Sequence, residues 1–383
     1  MDGESCAVLP HILHIDTERG WRGGERQALW LALELERRGA RSLVAARAGE
    51  PLAMRAAGAG LRVVDSNPMA EIDPRAAWSL RRCIRRESID VVHAHTAHAV
   101  ALGALATLGT NVPLVASRRV DFPLRRNAAT RWKYGRAAAI IAISGAVARV
   151  LERSGVDSAT IVVVPDGTDL HRAIVPATPE TLSALDIVPG RPLVVQVSQL
   201  VGHKDPVNFV GAIACAREIV PDVQALLVGD GPLRADVESA IHSLGLRDVV
   251  RVAGYRTDAD ALLAAADVVC LSSREEGMGS VLLDALVLGL PVAATRAGGI
   301  PEVVADGETG LLAEVRNQRA LGDAIAKLLR DPALRATMGA AARKRAGDFS
   351  VERMTDRTLE VYERVAARSR TARSKAASSS SPI

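Results

Sequence analysis

Short apolar runs recur along the chain, and each is followed by a stretch whose apolar positions repeat every three to four residues. In the first half the runs are HILHI (11–15), SLVAA (42–46), LRVVD (61–65), IDVVH (89–93), PLVAS (113–117), AIIAI (139–143) and TIVVVP (160–165). In the second half they are RPLVVQVS (191–198), VQALLVG (223–229), DVVRVAG (248–254), DVVCLS (267–272) and PVAAT (291–295). Their continuous apolarity predicts strands buried on both faces, as in a parallel sheet. Helices are predicted between them at Glu25 to Arg38, stopped by Gly39, and at Pro74 to Arg86, capped by Asp73. Further helices are predicted near 205–219, 232–244, 257–266 and 280–289.

Strand–helix alternation that runs twice predicts an α/β chain of two doubly wound, Rossmann-like domains. The expected divisions are an N-terminal domain over 1–180, a C-terminal domain over 181–350, and a last helix over 351–367 that crosses back to the first domain. The chain after Asp306 is expected to be mostly helical. Residues 368–383, Ser-rich and poor in apolar side chains, are expected to be disordered.

Composition narrows the function classes. Hydrophobic residues make up 48% of the 383 and charged residues 24%, enough for sizeable cores. No apolar run approaches the ~18 residues of a membrane-spanning helix. The opening MDGESCAVLP does not read as a secretory signal, and the four scattered cysteines form no CxxC. A reduced, cytoplasmic setting is expected. The net charge of +4 resides in the tail, leaving 44 basic against 44 acidic residues elsewhere. A nucleic-acid partner is therefore not expected. The tail reads as a solubilising end; weak peripheral contact with anionic lipid at the inner face of a membrane is the alternative.

In open α/β sheets, ligands bind beyond the carboxyl ends of the strands. Four such places carry candidate chemistry. ERGWRGGERQ (18–27) offers Gly20, Gly23 and Gly24 before a helix, a start that can receive phosphate. SQLVGHKD (198–205) puts Lys204 beside a predicted helix start with Asp205 as N-cap, suited to a diphosphate. GDGPLR (229–234) offers Gly229 and Gly231 for close backbone approach. Finally, SSREEGMGSVLLDALVLG (272–289) combines Glu276, the turn Gly277–Met278–Gly279 and a helix carrying Asp284. A carboxylate within so apolar a helix must be paired or bonded, so Asp284 is a candidate sugar-hydroxyl acceptor.

Other features are less specific. His93, His95 and His98 cluster after IDVVH, but no cysteine or carboxylate completes a metal site, and none is expected. Arg118, Arg119 and Asp121 in SRRVDF read either as a phosphate or acceptor contact or as a solvated loop. The triplet DAD (258–260) looks like a metal-binding DxD but stands at a predicted helix start and reads as a capping region.

These residues together resemble the retaining glycosyltransferases of family 4, whose fold is the two-domain GT-B arrangement with Rossmann-like domains facing across a cleft. The most specific stretch is EEGMGSVLLDALVLGLPVAATRAGGIPEVVADGETGLLAEV (275–315). It is similar to the family's E-G-F-G-x-x-x-x-E segment followed by G-x-P-V, G-G-x-P-E and G-x-T-G-x-L. VVPDGTDL (163–170) and IAISGAV (141–147) resemble its V-x-N-G-V-D and A-V-S segments.

The resemblance implies that Lys204 contacts the donor diphosphate, with Gln199 where many members have an arginine. It implies Glu276 near the donor sugar, Asp284 on the ribose hydroxyls, and the backbone of Gly277, Met278 and Gly279 against the donor. Gly229, Gly231 and Tyr255 would line the donor side, and Gly23 and Gly24 would face the phosphates. Trp21, His95, Arg118, Arg119 and Asp121 would form the acceptor side.

The function so implied is metal-independent transfer of a hexose or heptose, with retention, from a nucleotide-diphosphate sugar to a saccharide or lipid-linked acceptor hydroxyl. It belongs to envelope polysaccharide or glycolipid synthesis, and the nucleotide sugar is a co-substrate rather than a cofactor. Gln199 for Arg and Asp284 for Glu depart from the family pattern. They motivate a second reading, a catalytically weak nucleotide-sugar-binding partner. A nicotinamide oxidoreductase is a third, against which stands the missing GxGxxG after the first strand.

Overall fold

The computed structural model describes residues 9–379. The chain forms two compact units, one from residues up to Gly167 together with those from Val351 onward, the other from Thr168–Ser350.

The first unit holds strands β1 His11–Ile15, β2 Arg41–Ala46, β3 Arg62–Asp65, β4 Val91–Ala94, β5 Leu114–Arg118, β6 Ala137–Ala142 and β7 Ile161–Val163. They pair in parallel in the order β3-β2-β1-β4-β5-β6-β7. The inner strands are buried almost throughout, as their unbroken apolar runs predict. The order reverses between β1 and β4, and the chain beyond their carboxyl ends is where a doubly wound sheet opens a crevice.

The second unit repeats the plan with β8 Leu193–Val197, β9 Gln224–Val228, β10 Val250–Gly254, β11 Val268–Leu271, β12 Val292–Thr295 and β13 Gly310–Ala313. The parallel order β10-β9-β8-β11-β12-β13 places its reversal between β8 and β11. Phe209, Val210 and Ile213 of the helix Pro206–Arg217 pack with Leu321, Ile325 and Leu328 of the helix Gln318–Arg330 in its core.

Several expectations change. The strand β13 lies in the stretch expected to be mostly helical, because GLLA lacks the β-branched side chains that mark the other strands. The units divide at Gly167 and Thr168 rather than near residue 180. The outgoing and returning chains lie side by side there, Thr168 bridging Ser350 and donating its N–H to the Phe349 carbonyl at 2.7 Å. The last helix runs over Val351–Ser379, not to 367, since no glycine or proline interrupts residues 368–379. The remainder of the expected disordered tail lies outside the described residues.

Asp73 caps its helix through the N–H groups of Arg75 and Ala76 as expected. Asp205 does not cap. Its backbone is left-handed at φ +46°, and its carboxylate lies 3.5 Å from the Arg274 guanidinium. Among the described residues no helix is long and apolar enough to cross a membrane.

Candidate active site

In the second unit, Lys204 comes from the turn after β8 and Glu276 from the loop after β11, so both stand at the sheet's reversal. The Lys204 ammonium pairs with Glu276 Oε2. Ser273 Oγ donates to the same carboxylate oxygen at 3.1 Å, and the Glu276 carbonyl accepts from Gly299 N at 2.9 Å. Behind them Ser272 Oγ donates to the Lys204 and Asp205 carbonyls at 3.1 and 2.9 Å. Buried Gln196 accepts from Ser272 N at 3.2 Å and donates to Ser198 Oγ at 3.1 Å. The lysine turn and the glutamate loop are thus fastened to each other by side chains, and the charged pair is held mostly out of water.

The neighbouring glycines have a local cause. A Cβ on Gly229 would lie 1.9 Å from the Ser198 carbonyl oxygen, and one on Gly231 would lie 2.5 Å from that of Leu200. The close approach that GDG permits is therefore made by the chain's own turn after β8. Gly279, at φ +83°, starts the helix Ser280–Leu288 in a left-handed conformation that favours glycine. Met278 is buried, Gln199 is exposed, and Tyr255 is 64% exposed beyond β10.

Asp284 is 4% exposed, and its partner is one the sequence does not announce. Arg172 Nη2 donates to Asp284 Oδ1 at 2.8 Å while Nη1 donates to Asp260 Oδ2 at 2.9 Å. The DAD triplet is accordingly committed to arginines, Asp258 pairing with Arg256 and Asp260 with Arg172. Asp258 is the N-cap position of the helix Ala259–Ala264 but makes no side-chain cap bond.

In the first unit the ends of β1 and β4 enclose a buried polar network. His14 and His95 share a ring–ring hydrogen bond of 3.0 Å. His93 bonds to Tyr362 Oη at 2.6 Å and to Ser117 Oγ at 2.8 Å. Arg119 donates to the His95 carbonyl at 3.3 Å and to Asp166 Oδ1 at 3.2 Å. Burial pulls the His14 pKa down to about 3, and burial reinforced by neighbouring positive charge holds His93 and His95 well below the usual histidine range. Burial pushes Asp16 up to about 7 and raises Glu25 and Asp166, the last offset by Arg119.

Among the described residues, His14, His93 and His95 are the group whose ring nitrogens lie close enough for a metal, within 4.8 Å of one another. The donor set does not fit one. Both nitrogens of His93 are engaged, His95 faces a guanidinium, and a cation would sit beside Arg119. His98, expected in this cluster, instead points to Glu18 at 3.6 Å from an exposed position.

The rest of the expected acceptor side is dispersed. Arg118 turns into its own loop, donating to the Phe122 carbonyl at 2.7 Å. Trp21 packs under the Arg55 guanidinium, 4.4 Å from its ring centre. Gly23 and Gly24 open the helix Gly23–Arg37, and a Cβ on Gly24 would come within 3.8 Å of the Arg119 side chain. Asp121 is half-buried in the loop after β5. Asp16, which the motif reading passes over, is the first residue beyond β1; its Oδ2 is buried without a hydrogen-bond partner among the described residues. Its position directly after a strand at the reversal is the signal that could have found it.

Residues 178–345 match the family described as glycosyl transferases group 1, and residues 21–172 match glycosyltransferase family 4. The 2-deoxystreptamine glucosyltransferase of Streptomyces kanamyceticus is 32% identical over 265 residues, covering 67% of this chain and 68% of that protein. The alpha-maltose-1-phosphate synthase of Mycolicibacterium smegmatis is 30% identical, covering 73% of this chain and 80% of that one. Among solved structures, Anabaena HepE in complex with UDP-glucose superposes with a TM-score of 0.81 at 24% identity, over 92% of this chain and 99% of that one. With two parallel α/β sheets of the GT-B type and relatives of this kind along its length, the chain belongs to the group 1, family 4 glycosyltransferases.

Proposed function

We propose that the protein transfers a hexose or heptose from a nucleotide-diphosphate sugar to an acceptor hydroxyl with retention at the anomeric carbon, without a metal, in the synthesis of an envelope polysaccharide or glycolipid. The observation that carries this reading is the Lys204–Glu276 pair beyond the carboxyl ends of β8 and β11. The glucosyltransferase and synthase relatives support sugar transfer as its task.

The chemical difficulty is the negative charge that grows on the leaving diphosphate as its bond to the sugar breaks. Lys204 answers it by exchanging its carboxylate partner for the diphosphate, a charge-assisted contact of about 1.5–3 kcal/mol. Glu276, released from the ammonium but still bonded to Ser273, then faces the sugar hydroxyls. In front-face attack the leaving phosphate oxygen takes the acceptor proton, so no side chain is assigned as general base. The acceptor would meet the first unit near Trp21, His95 and Arg119.

The test is a thermal-shift panel of UDP, GDP, ADP, CMP, NAD and the corresponding sugar conjugates. A ligand that binds only the folded protein raises its melting temperature. A shift with one nucleoside diphosphate identifies the donor class, and NMR of the product then reads the anomeric configuration. A shift with NAD alone would overturn the reading. Exposed Gln199 and arginine-bound Asp284 favour one alternative, a nucleotide-sugar-binding partner, which binding without turnover across an acceptor panel would establish.

A further inference from the structure

Asp284 sits one turn into the helix Ser280–Leu288, among leucines, and is almost wholly buried. A carboxylate in such a place stays ionised and fixed only if a cation or several donors hold it. Arg172 supplies the cation. It follows the crossing into the second unit and spans two carboxylates, Asp284 at 2.8 Å and the half-exposed Asp260 at 2.9 Å. One guanidinium between two carboxylates leaves the trio with a net negative charge, an arrangement that still favours hydroxyl donors.

We propose that Arg172 is a positioning residue for the nucleotide: it fixes the shortened Asp284 side chain as the acceptor of the donor's ribose hydroxyls, with Asp260 holding the guanidinium from its other side. The inference rests on the nucleotide-sugar reading above. It explains how aspartate serves where a longer carboxylate is usual. The side chain is one CH2 shorter, and a planar guanidinium clamped at both ends sets its orientation more tightly than a flexible lysine could.

The experiment measures affinity for UDP, GDP and ADP, each beside its 2′-deoxy analogue, for the full-length protein and for Arg172→Ala, Arg172→Lys and Asp260→Asn. The wild-type protein should prefer the ribonucleotide. Arg172→Ala should lose about tenfold or more in ribonucleotide affinity and little in deoxynucleotide affinity, so that the preference collapses. Arg172→Lys should restore part of it, and Asp260→Asn should weaken it to a smaller extent. In the double variant Arg172→Ala, Asp284→Asn the losses should not add.

Equal loss for both nucleotide types would make Arg172 merely structural and overturn the proposal, as would unchanged discrimination. If Arg172→Ala fails to fold, the Arg172→Lys and Asp260→Asn ratios decide alone, and unchanged ratios in both reject the proposal. A wild-type protein that binds no nucleotide removes the nucleotide-sugar reading and this inference with it. That outcome is distinct from binding that ignores Arg172, which removes the inference only.

Discussion

The ammonium of Lys204 and the carboxylate of Glu276, separated by 72 residues in sequence, pair across the point where the second sheet reverses its strand order. Each therefore neutralises the other until an anion arrives. On the proposed function, Lys204→Ala removes the cation that meets the leaving diphosphate. We expect kcat/KM to fall about 10²-fold or more, measured by steady-state transfer with the donor that the thermal-shift panel identifies. Activity equal to wild type would displace the diphosphate from this turn.

Gln199 is exposed on the same turn, where many family members carry arginine. On the proposed function, Gln199→Arg should keep or raise donor affinity, since the new guanidinium would have open solvent around it and the donor's diphosphate to meet. Titration calorimetry with the donor nucleotide decides; a large loss would give Gln199 a role of its own.

Gly229 and Gly60 both adopt positive φ but in different surroundings. A Cβ on Gly60, at φ +85°, meets nothing within 4 Å, whereas one on Gly229 would lie 1.9 Å from the Ser198 carbonyl oxygen. Gly60→Ala should cost only about 1–2 kcal/mol and leave nucleotide binding intact. Gly229→Ala should displace the turn after β8 and weaken nucleotide binding as well as the fold. Denaturant midpoints and nucleotide affinities for the two variants separate the cases.

The first unit should show two opposed pH dependences. His14 is held neutral to about pH 3, far below the ordinary 6.5, so the folded state binds fewer protons than the unfolded chain in that window. Its contribution is present above pH 6.5 and is lost as pH falls. His93 and His95, also held low, act in the same direction. Asp16, raised from 3.8 to about 7, acts oppositely: the folded state holds the extra proton, and stability is lost as pH rises through that interval. Asp16→Asn should therefore stabilise the protein above pH 7, with a gain that shrinks towards pH 4. Its own acid limb should be steeper than that of the wild type. Urea unfolding from pH 4 to 8 measures both.

Tyr362→Phe removes the hydroxyl bonded to His93 and keeps the ring. It should cost about 1–3 kcal/mol. Tyr362→Ala opens a cavity in a fully buried position and should cost about 3–5 kcal/mol. A Tyr362→Phe variant as stable as the wild type in denaturant unfolding would show that the hydrogen bond contributes nothing.

Most strands were legible because burial on both faces writes itself as an unbroken apolar run. HILHI coincides with β1, whereas β13 reads GLLA and has no β-branched side chain to set it apart from the helices around it. Lys204 and Glu276 were legible because each lies in a local motif. The partner of Asp284 was not, since Arg172 lies 112 residues away and belongs to no motif. The same holds for the cause of Gly229: a glycine's permissiveness shows in sequence, but the neighbour that requires it does not. The histidine network was half legible, His93 and His95 by spacing, while His14 and Tyr362 join them only through the parallel pairing of β1 with β4 and the packing of the last helix.

That last helix also sets an order of assembly. Thr168–Ser350 is one continuous length of chain and can close as soon as its final strand and helices have been synthesised. The other unit is stitched from both ends. Until Val351 to Val365 emerge, the faces of Leu31, Leu35, Val115 and Ile141 lack the Val361, Tyr362 and Val365 side chains that cover them. The first residues made must therefore wait for nearly the last. A chain truncated after Ser350 would carry one complete unit and one whose core is still open to chaperones.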